Sequence, residues 1–380
     1  MTETSDILVI GAGIAGVGAG AMAAAHGASV TVLEAEPTPA YHTTGRSAAI
    51  YIRNYGGPVL RAVSDAAHPA FMDPEAFSGG AIAGALLSRR GVLTVATEAE
   101  MEGLEASFAE SKGLERLTGP QAEALFPLLR KGRIVAASLE PEAADIDVDR
   151  LFQGFAKMLR RDGGRIAVNA RVGRIARNAQ VGRIARVGEA WRVETPAGVF
   201  EAPVLVNAAG AWADEVAAMA GAAPLGIVPK RRSAAMLPLP AGIDASVWPL
   251  IDPVAFDWYA KPQSGALMVS PADEDPVAPM DAWPDDMVLA EGLDRFAQAM
   301  DYEVTRVERA WAGLRSFAPD GTPVVGFAPE TPGFFWLAGQ GGHGIQTSPA
   351  LSALAGALLT GGAPAMEAEV VSALSPARFS

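Results

Sequence analysis

The first 34 residues of this chain constrain its fold more than any other segment. Residues 6–10 (DILVI) predict a strand, residues 11–16 (GAGIAG) a glycine turn entering a helix, and residues 30–34 (VTVLE) a second strand. The first glycine permits a tight turn, the second lets backbone amides reach a pyrophosphate, and the third lets the helix pack on the strand. The pattern predicts a Rossmann-like dinucleotide site in which Glu34 binds the adenosine ribose.

Composition narrows the class of protein. The chain has 380 residues, half of them apolar, enough for a large core and about two domains. The absence of Cys excludes disulfides and thiolate metal sites, and no metal-ligand cluster is evident. A net charge of −13 argues against nucleic acid as a partner. The apolar stretch 7–25 follows acidic residues and fits the nucleotide unit better than a membrane segment, so we expect a cytoplasmic protein.

Further along, helical and strand patterns alternate without a clear linker. Residues 226–310 indicate mixed β and loop structure. A short duplication, VGRIAR at 172–177 and again at 181–186, predicts a longer surface hairpin rather than a repeat fold. Helices are predicted within 59–80 and 98–128 and at 151–161, and strands at 91–96, 165–168, 191–195 and 202–207.

Three more segments carry cofactor-binding signals. Residues 41–49 (YHTTGRSAA) follow the second strand and offer hydroxyls and an Arg suited to a diphosphate. Residues 204–212 repeat the strand-and-turn pattern. Residues 335–348 form a third glycine turn that enters a helix near Thr347, whose N-terminus would stabilise a reduced flavin. Three glycine turns spread along the chain favour one FAD site over an NAD domain.

These blocks resemble the D-amino-acid oxidase-like flavoproteins, and most closely the FAD-dependent D-arginine dehydrogenases. The most specific are YHTTGRSAA, PKRRS at 229–233, WAGLRSF at 311–317 and GQGGHGIQTS at 339–348. The resemblance implies an α/β fold with a Rossmann-like FAD-binding domain (1–80, 145–225 and 311–380) and an antiparallel-sheet substrate domain (81–144 and 226–310). The implied FAD contacts are Gly11, Gly13, Ile14, Ala15, Gly16, Glu34, Ala35, Thr43, Thr44, Gly45, Arg46, Ser47, Ala48, Ala49, Val172, Ala208, Ala209, Gly210, Trp212, Arg315, Gly339, Gly341, Gly342, His343, Gly344, Ile345, Gln346 and Thr347.

The resemblance also implies oxidation of an amino acid to an imino acid, which water hydrolyses to a 2-oxo acid and ammonia. Arg315 is the first candidate to bind the substrate carboxylate, because a guanidinium donates two parallel hydrogen bonds to it, and Arg232 is the second. Tyr259 and Tyr55 match tyrosines that line the active site, and Gly342 matches a backbone position near the substrate amine. Hydride would pass from Cα to the flavin N5.

Two departures from the arginine dehydrogenases bear on the substrate. The glutamate that pairs with the substrate guanidinium is replaced by Gly91 or a neighbour, and a histidine is replaced by Ile50. A buried cation without a partner is costly, so we expect a neutral or apolar side chain. An acidic substrate stays open if Arg53, Arg89 or Arg90 faces the pocket.

His42 bears on how the flavin is held. A histidine at this position is bonded covalently to the flavin in some relatives, but the surrounding residues favour non-covalent FAD.

The reaction itself has competing hypotheses. The same fold could oxidise a secondary amine, such as sarcosine or an N-methyl amino acid, or a 2-hydroxy acid. A flavin-binding protein without turnover is a further hypothesis, although such a protein needs no carboxylate site. The electron acceptor is O2 or a quinone.

Overall fold

A mostly parallel six-stranded sheet contains the predicted nucleotide unit. The structure is a computed structural model that describes residues 2–178 and 190–379. Neighbouring strands are parallel except for the last pair, which is antiparallel. From edge to edge the strands are β10 (Arg165–Ala167), β3 (Val30–Leu33), β2 (Ile7–Ile10), β14 (Val204–Asn207), β21 (Phe334–Ala338) and β20 (Val324–Phe327).

Helices cover one face of this sheet, and the central helix is built of small residues. A Cβ at Gly356 of the neighbouring helix would lie 2.6 Å from the Met22 Cβ and 3.0 Å from the Met22 carbonyl carbon, so glycine lets these two helices approach closely. Residues 7–25 form a buried strand and helix of this layer. In the described part of the chain, no helix is both long and apolar enough to cross a membrane. The helices are α1 (Ile14–Ala25), flanked by α6 (Val148–Arg161) and α9 (Ser348–Thr360), with α2 (Pro58–Met72), α3 (Pro74–Ser78) and α10 (Ala368–Leu374) around them.

A small four-stranded sheet and one helix pack on the opposite face. Trp191 lies in this layer, fully buried against Phe334 of the six-stranded sheet. The second copy of the duplicated hexapeptide lies outside the described residues. The strands, in order, are β1 (Thr2–Thr4), β13 (Gly198–Ala202), β12 (Ala190–Thr195) and β11 (Arg174–Asn178), and the helix is α7 (Ala213–Ala220).

An eight-stranded sheet forms the second large layer. Its neighbours are antiparallel except β16 and β6. The order is β19 (Arg309–Phe317), β15 (Val228–Pro238), β18 (Ala266–Ser270), β17 (Tyr259–Gln263), β16 (Leu250–Pro253), β6 (Val92–Ala96), β8 (Ala136–Glu140) and β7 (Glu115–Thr118). Residues 309–317 pair with β15 along their length, although the predicted division groups 311–380 with the FAD-binding domain. That division stays a prediction.

Three helices lie near this sheet: α4 (Met101–Glu110), α5 (Gly119–Leu125) and α8 (Asp286–Ala299). The last corrects the prediction that 226–310 contains β and loop structure only. Its signal was present: Asp285 accepts hydrogen bonds from the first-turn amides, and Leu289, Leu293 and Phe296 recur at helical spacing and pack in one core.

A three-stranded sheet connects the two large layers: β4 (Ile50–Tyr51), β9 (Ala144–Ile146) and β5 (Leu87–Arg89). Its central residue Asp145 accepts from Lys261 at 2.7 Å and from Arg90 at 2.7 Å. The buried Lys261 thereby ties β17 to this sheet. The α/β fold class with a Rossmann-like unit and a second, largely antiparallel sheet is confirmed.

Two glycines of the first turn have no room for a side chain. Gly11 has φ +101°, and a Cβ there would lie 2.4 Å from the Ala208 carbonyl oxygen. A Cβ at Gly16 would lie 1.9 Å from the Gly11 carbonyl oxygen. Both obstacles are backbone atoms, so helix α1 could accept a side chain at Gly16 only by moving away from the turn.

We expect Gly16→Ala to lower the free energy of unfolding by about 3 kcal/mol, the upper part of the usual range for overpacking. Thermal denaturation of both proteins measures the loss. The control is Gly57→Ala, because Gly57 has φ −73° and no atom within 4 Å of its would-be Cβ. Equal melting temperatures for the Gly16 variant and the wild type would contradict this packing.

Candidate active site

A cavity of about 720 Å³ lies between the carboxyl ends of the parallel strands and the inner face of the eight-stranded sheet. All six residues predicted to contact the substrate line it: Arg315, Arg232, Tyr259, Tyr55, Gly342 and Ile50. Most predicted cofactor contacts line it too: Gly11, Gly13, Ile14, Ala15, Glu34, Ala35, Thr43, Thr44, Arg46, Ser47, Ala48, Ala49, Val172, Ala208, Ala209, Gly210, Trp212, Gly341, Gly344, Ile345 and Gln346.

Five predicted cofactor residues are not among the residues that line the cavity. The Thr347 hydroxyl donates to the His343 carbonyl at 2.8 Å, and the His343 ring stacks on Tyr55 with 4.3 Å between ring centroids. Thr347 and His343 therefore support the loops around the cavity but do not line it themselves. The five are Gly16, Gly45, Gly339, His343 and Thr347.

The nucleotide end of the cavity fits the expected FAD. Glu34 is buried, and its carboxylate accepts from the amides of Ala12 at 2.9 Å and Glu36 at 3.0 Å. Each oxygen keeps a lone pair for a ribose hydroxyl. Ala15 lies in the first turn of α1, where backbone amides lack intrahelical acceptors and can bind a phosphate.

The hydroxyls and the Arg of residues 41–49 bind protein atoms, which the sequence pattern did not predict. Thr44 accepts from the Ile14 amide at 3.0 Å, and Thr43 donates to the Leu314 carbonyl at 2.8 Å. Arg46 donates to the carbonyls of Ala282 and Ala312. The Ser47 hydroxyl donates back to Thr43. This segment therefore joins the glycine turn to strand β19, and direct recognition of a diphosphate by these groups stays a prediction.

His42 lies on the cavity wall. Its Nε2 is 3.1 Å from Glu36, and its ring packs on Trp212 at 4.8 Å between centroids. These contacts hold the imidazole between a carboxylate and an indole. Non-covalent binding of FAD at this position stays a prediction.

Arg315 projects from β19 into the other end of the cavity. Its Nη1 is buried and has no hydrogen-bond partner among the described residues. A Cβ at Gly342 would lie 3.1 Å from this Nη1 and 3.1 Å from the Tyr55 hydroxyl. Burial by itself would lower the pKa of Arg315, but Tyr259, Tyr55 and Glu274 outweigh burial and raise it. The guanidinium is therefore charged, and its unpaired Nη1 can bind an anion.

Arg232 brings a second guanidinium to the same region. Its Nε donates to the Asp273 carbonyl at 2.8 Å and its Nη2 to Glu274 at 2.7 Å. These bonds fix the group, while Nη1 is buried without a partner among the described residues. Because buried donors are normally hydrogen-bonded, two unpaired guanidinium nitrogens at one cavity indicate a site for a carboxylate.

Aromatic rings surround these guanidinium groups. Burial alone would raise the pKa of the Tyr259 phenol, but Arg315 and Arg232 outweigh burial and lower it below its ordinary value. Phe256, which the sequence pattern did not single out, stacks on Tyr259 with 6.0 Å between centroids. It has φ +50° and packs also against Tyr55 at 6.5 Å. The centroids of the Phe256 and Tyr259 rings each lie 5.9 Å from the guanidinium carbon of Arg232.

Two buried acids, Glu140 and Asp252, also line the cavity and were not predicted. Burial raises the pKa of Asp252 to about 7, nearby Glu140 adds to the rise, and a hydrogen bond with Thr94 opposes it. An acid inside an apolar strand was the available signal in the sequence. The expectation of a neutral or apolar substrate rested on the missing glutamate near Gly91 and on Ile50, so it stays a prediction, although these two acids lie at other positions of the same cavity.

The condition for an acidic substrate is not met. Arg53, Arg89 and Arg90 do not line the cavity. The guanidinium of Arg53 binds Asp65 at the surface, and that of Arg90 binds Asp145 at 2.7 Å. Gly91, the replacement for the family's glutamate, does not line the cavity either.

Comparison with known proteins identifies what the whole chain is similar to. Residues 6–358 match the family model described as FAD dependent oxidoreductase, abbreviated DAO. A glycine oxidase of Geobacillus kaustophilus is 30% identical over 165 residues, which cover 41% of this chain and 40% of that protein. The chain aligns with only 34% to 40% of the lengths of five such curated relatives.

Solved structures with the same fold cover nearly all of the chain. The crystal structure of glycine oxidase from Geobacillus kaustophilus has a TM-score of 0.81 at 22% identity and covers 98% of both chains. L-proline dehydrogenase from P. horikoshii has a TM-score of 0.81 at 22% identity, covering 100% of this chain and 98% of that one. These likenesses support the flavoprotein fold and do not single out D-arginine dehydrogenases.

The buried imidazole of His343 predicts how stability depends on pH. Burial, and next the charge of Arg315, lower the pKa of His343 to about 4. The unfolded state, with an ordinary pKa near 6.5, binds a proton first as the pH falls, so stability is lost between about pH 6.5 and 4.

We expect His343→Phe, which keeps a ring on Tyr55, to make the melting temperature fall less steeply over this interval than in the wild type. Melting temperatures measured from pH 7 to pH 4 test this. His26→Gln is the control, because His26 is exposed and should leave the slope unchanged. A slope in the His343 variant equal to that of the wild type would disprove the assignment.

Proposed function

The chain belongs to the DAO family of FAD-dependent oxidoreductases, and from this premise we propose that it oxidises the α-amine of a D-amino acid to an imino acid. Water then hydrolyses the imino acid to a 2-oxo acid and ammonia. The observation that carries this proposal is the pair of buried, unpaired guanidinium nitrogens of Arg315 and Arg232 in the cavity. A flavin-binding protein without turnover has no need for such a carboxylate site.

The chain's own residues would bind and orient the substrate. Arg315 and Arg232 take the carboxylate, and the Tyr55 and Tyr259 hydroxyls lie beside them. Gly342 leaves room for the amine against its backbone, because any side chain there would contact the Arg315 guanidinium. Fixing the carboxylate and the amine leaves the Cα–H bond one orientation, and such positioning accounts for much of the catalysis.

When bound, FAD supplies the hydride acceptor for this Cα–H bond, with the flavin N5 as the accepting atom. The residues of this chain that would hold FAD are the first turn of α1, Glu34 and the glycine loop 339–344. The rings of Tyr55, Phe256 and Tyr259 line the cavity beside this site. We further propose that O2 or a quinone reoxidises the cofactor and that the protein acts in the cytoplasm.

Removing the guanidinium tests the carboxylate site. We expect Arg315→Met to lower kcat/KM by about 1,000-fold, as for loss of one partner of a buried charge pair, while Arg315→Lys restores only part of it. The measurement is anaerobic bleaching of the flavin by a panel of D- and L-amino acids, glycine, N-methyl amino acids and 2-hydroxy acids. Arg309→Met is the matched control, because Arg309 is exposed on the same strand.

The panel also separates the competing hypotheses. If only N-methyl amino acids bleached the flavin, the oxidised group would be a secondary amine rather than a primary one. If only 2-hydroxy acids did so, the oxidised group would be an alcohol. Bleaching by L-amino acids alone would overturn the assigned configuration. A flavin that no compound of the panel bleaches, or an Arg315→Met variant as active as the wild type, would contradict the proposal.

A further inference from the structure

The proposed oxidation leaves Asp252 in the cavity without a role. Its Oδ1 is buried and has no hydrogen-bond partner among the described residues. The residue is only 7% exposed. A buried carboxylate without a partner is costly, whereas the same group is stable when it binds a cation.

Glu140 adds negative charge to this end of the cavity and is itself already bonded. Its oxygens accept from the Arg53 amide at 2.7 Å and from the Asn54 side chain at 2.8 Å. Within residues 2–178 and 190–379, no Lys or Arg forms an ion pair with Glu140 or Asp252. Two acids therefore face the cavity without a protein cation, and Asp252 has the free oxygen.

The register of the eight-stranded sheet separates this acid from the carboxylate site. Ile251 pairs with Ala260, which places Asp252 level with Tyr259 on the neighbouring strand, about 4.8 Å away. The guanidinium carbon of Arg232 lies 5.9 Å from the Tyr259 ring centroid. Tyr259 therefore stands between the acid on β16 and the guanidinium groups that reach in from β15 and β19.

We infer that Asp252 binds a protonated amine or a guanidinium carried at the end of the substrate's side chain. This inference rests on the proposed function for the position of the substrate carboxylate. The α-amine cannot be the cation, because it is attached to the carbon next to that carboxylate and stays on the guanidinium side of Tyr259. A side chain that extends past Tyr259 brings its terminal group to Asp252.

The walls between the two charged ends suit an alkyl chain. Apolar side chains line the cavity near Asp252: Leu250 on the same strand, Val92 on the neighbouring strand β6 and Val254 in the loop that follows β16. Methylene groups would pack on these side chains, while a chain with an apolar end would leave the acid unpaired. The cavity thus complements a carboxylate and a cation separated by several methylene groups.

Equilibrium binding tests this subsite without turnover. The probes are 6-aminohexanoate, which has the length of lysine but no α-amine, and hexanoate, titrated into the FAD-loaded enzyme by calorimetry. We expect the wild type to bind 6-aminohexanoate about 30-fold or more tightly than hexanoate, as for a buried charge pair. Asp252→Asn should reduce this preference to a few-fold. Glu142→Gln, an acid-to-amide change at an exposed site, should preserve it.

Turnover provides the second readout. D-Lysine should be oxidised with a higher kcat/KM than D-norleucine, and D-arginine with a higher one than its uncharged isostere D-citrulline, each by about 30-fold or more. In the Asp252→Asn variant, the two members of each pair should have nearly equal kcat/KM values. The change should come mainly from a higher KM for the cationic member. Asp252→Ser serves as the second variant if the first does not retain FAD.

The outcomes are distinct. Equal binding of 6-aminohexanoate and hexanoate by the wild type overturns the inference, and this measurement needs no variant. A preference that survives in Asp252→Asn also overturns it. Oxidation of D-norleucine with no oxidation of D-lysine overturns the inference while supporting the proposed function. A cation preference in binding with no amino acid oxidised supports the subsite and contradicts the proposed function.

Discussion

The hydrogen bonds of residues 43–46 fix the glycine turn relative to the substrate-binding sheet. Thr44 accepts from the Ile14 amide at the start of α1, and Thr43 and Arg46 donate to carbonyls of β19. Strand β19 also carries Arg315. One short segment therefore sets the distance between the end that suits a nucleotide and the end that suits a carboxylate.

The cavity separates charge along its length. Guanidinium groups of Arg315 and Arg232 lie at one side of Tyr259, and the carboxyl groups of Asp252 and Glu140 lie at the other side. Arg315 Nη1 and Asp252 Oδ1 are buried without a hydrogen-bond partner among the described residues, and a buried charged group with an unpaired atom is unfavourable. A ligand with a negative group at one end and a positive group at the other would pair with both. The unpaired groups in the cavity therefore indicate the charges of the ligand. The proposed substrate class rests on these unpaired groups.

Much of the fold could be predicted because it depends on local pattern. The glycine turn, helix α1 and Glu34 follow from the residue spacing in the first 34 residues. The predicted close packing at Gly16 is present, because a Cβ there would lie 1.9 Å from the Gly11 carbonyl oxygen. The prediction of β and loop structure at helix α8 was wrong. The helical spacing of Leu289, Leu293 and Phe296 was overlooked because strand-like sequence surrounds it. The six substrate contacts depended on a family resemblance and all line the cavity.

The sequence by itself determined the nucleotide unit and the fold class, because these depend on short motifs whose residue order is the signal. Arg315 and Arg232 became candidates for binding a carboxylate only through the family resemblance. Only the tertiary structure decided which polar groups are free. Thr43, Ser47 and Arg46 are already bonded to protein atoms, whereas Asp252 keeps an unpaired oxygen in the cavity. Whether a polar atom has a partner depends on strands distant in sequence, so burial and pairing emerge only when β16, β17 and β19 meet in one sheet.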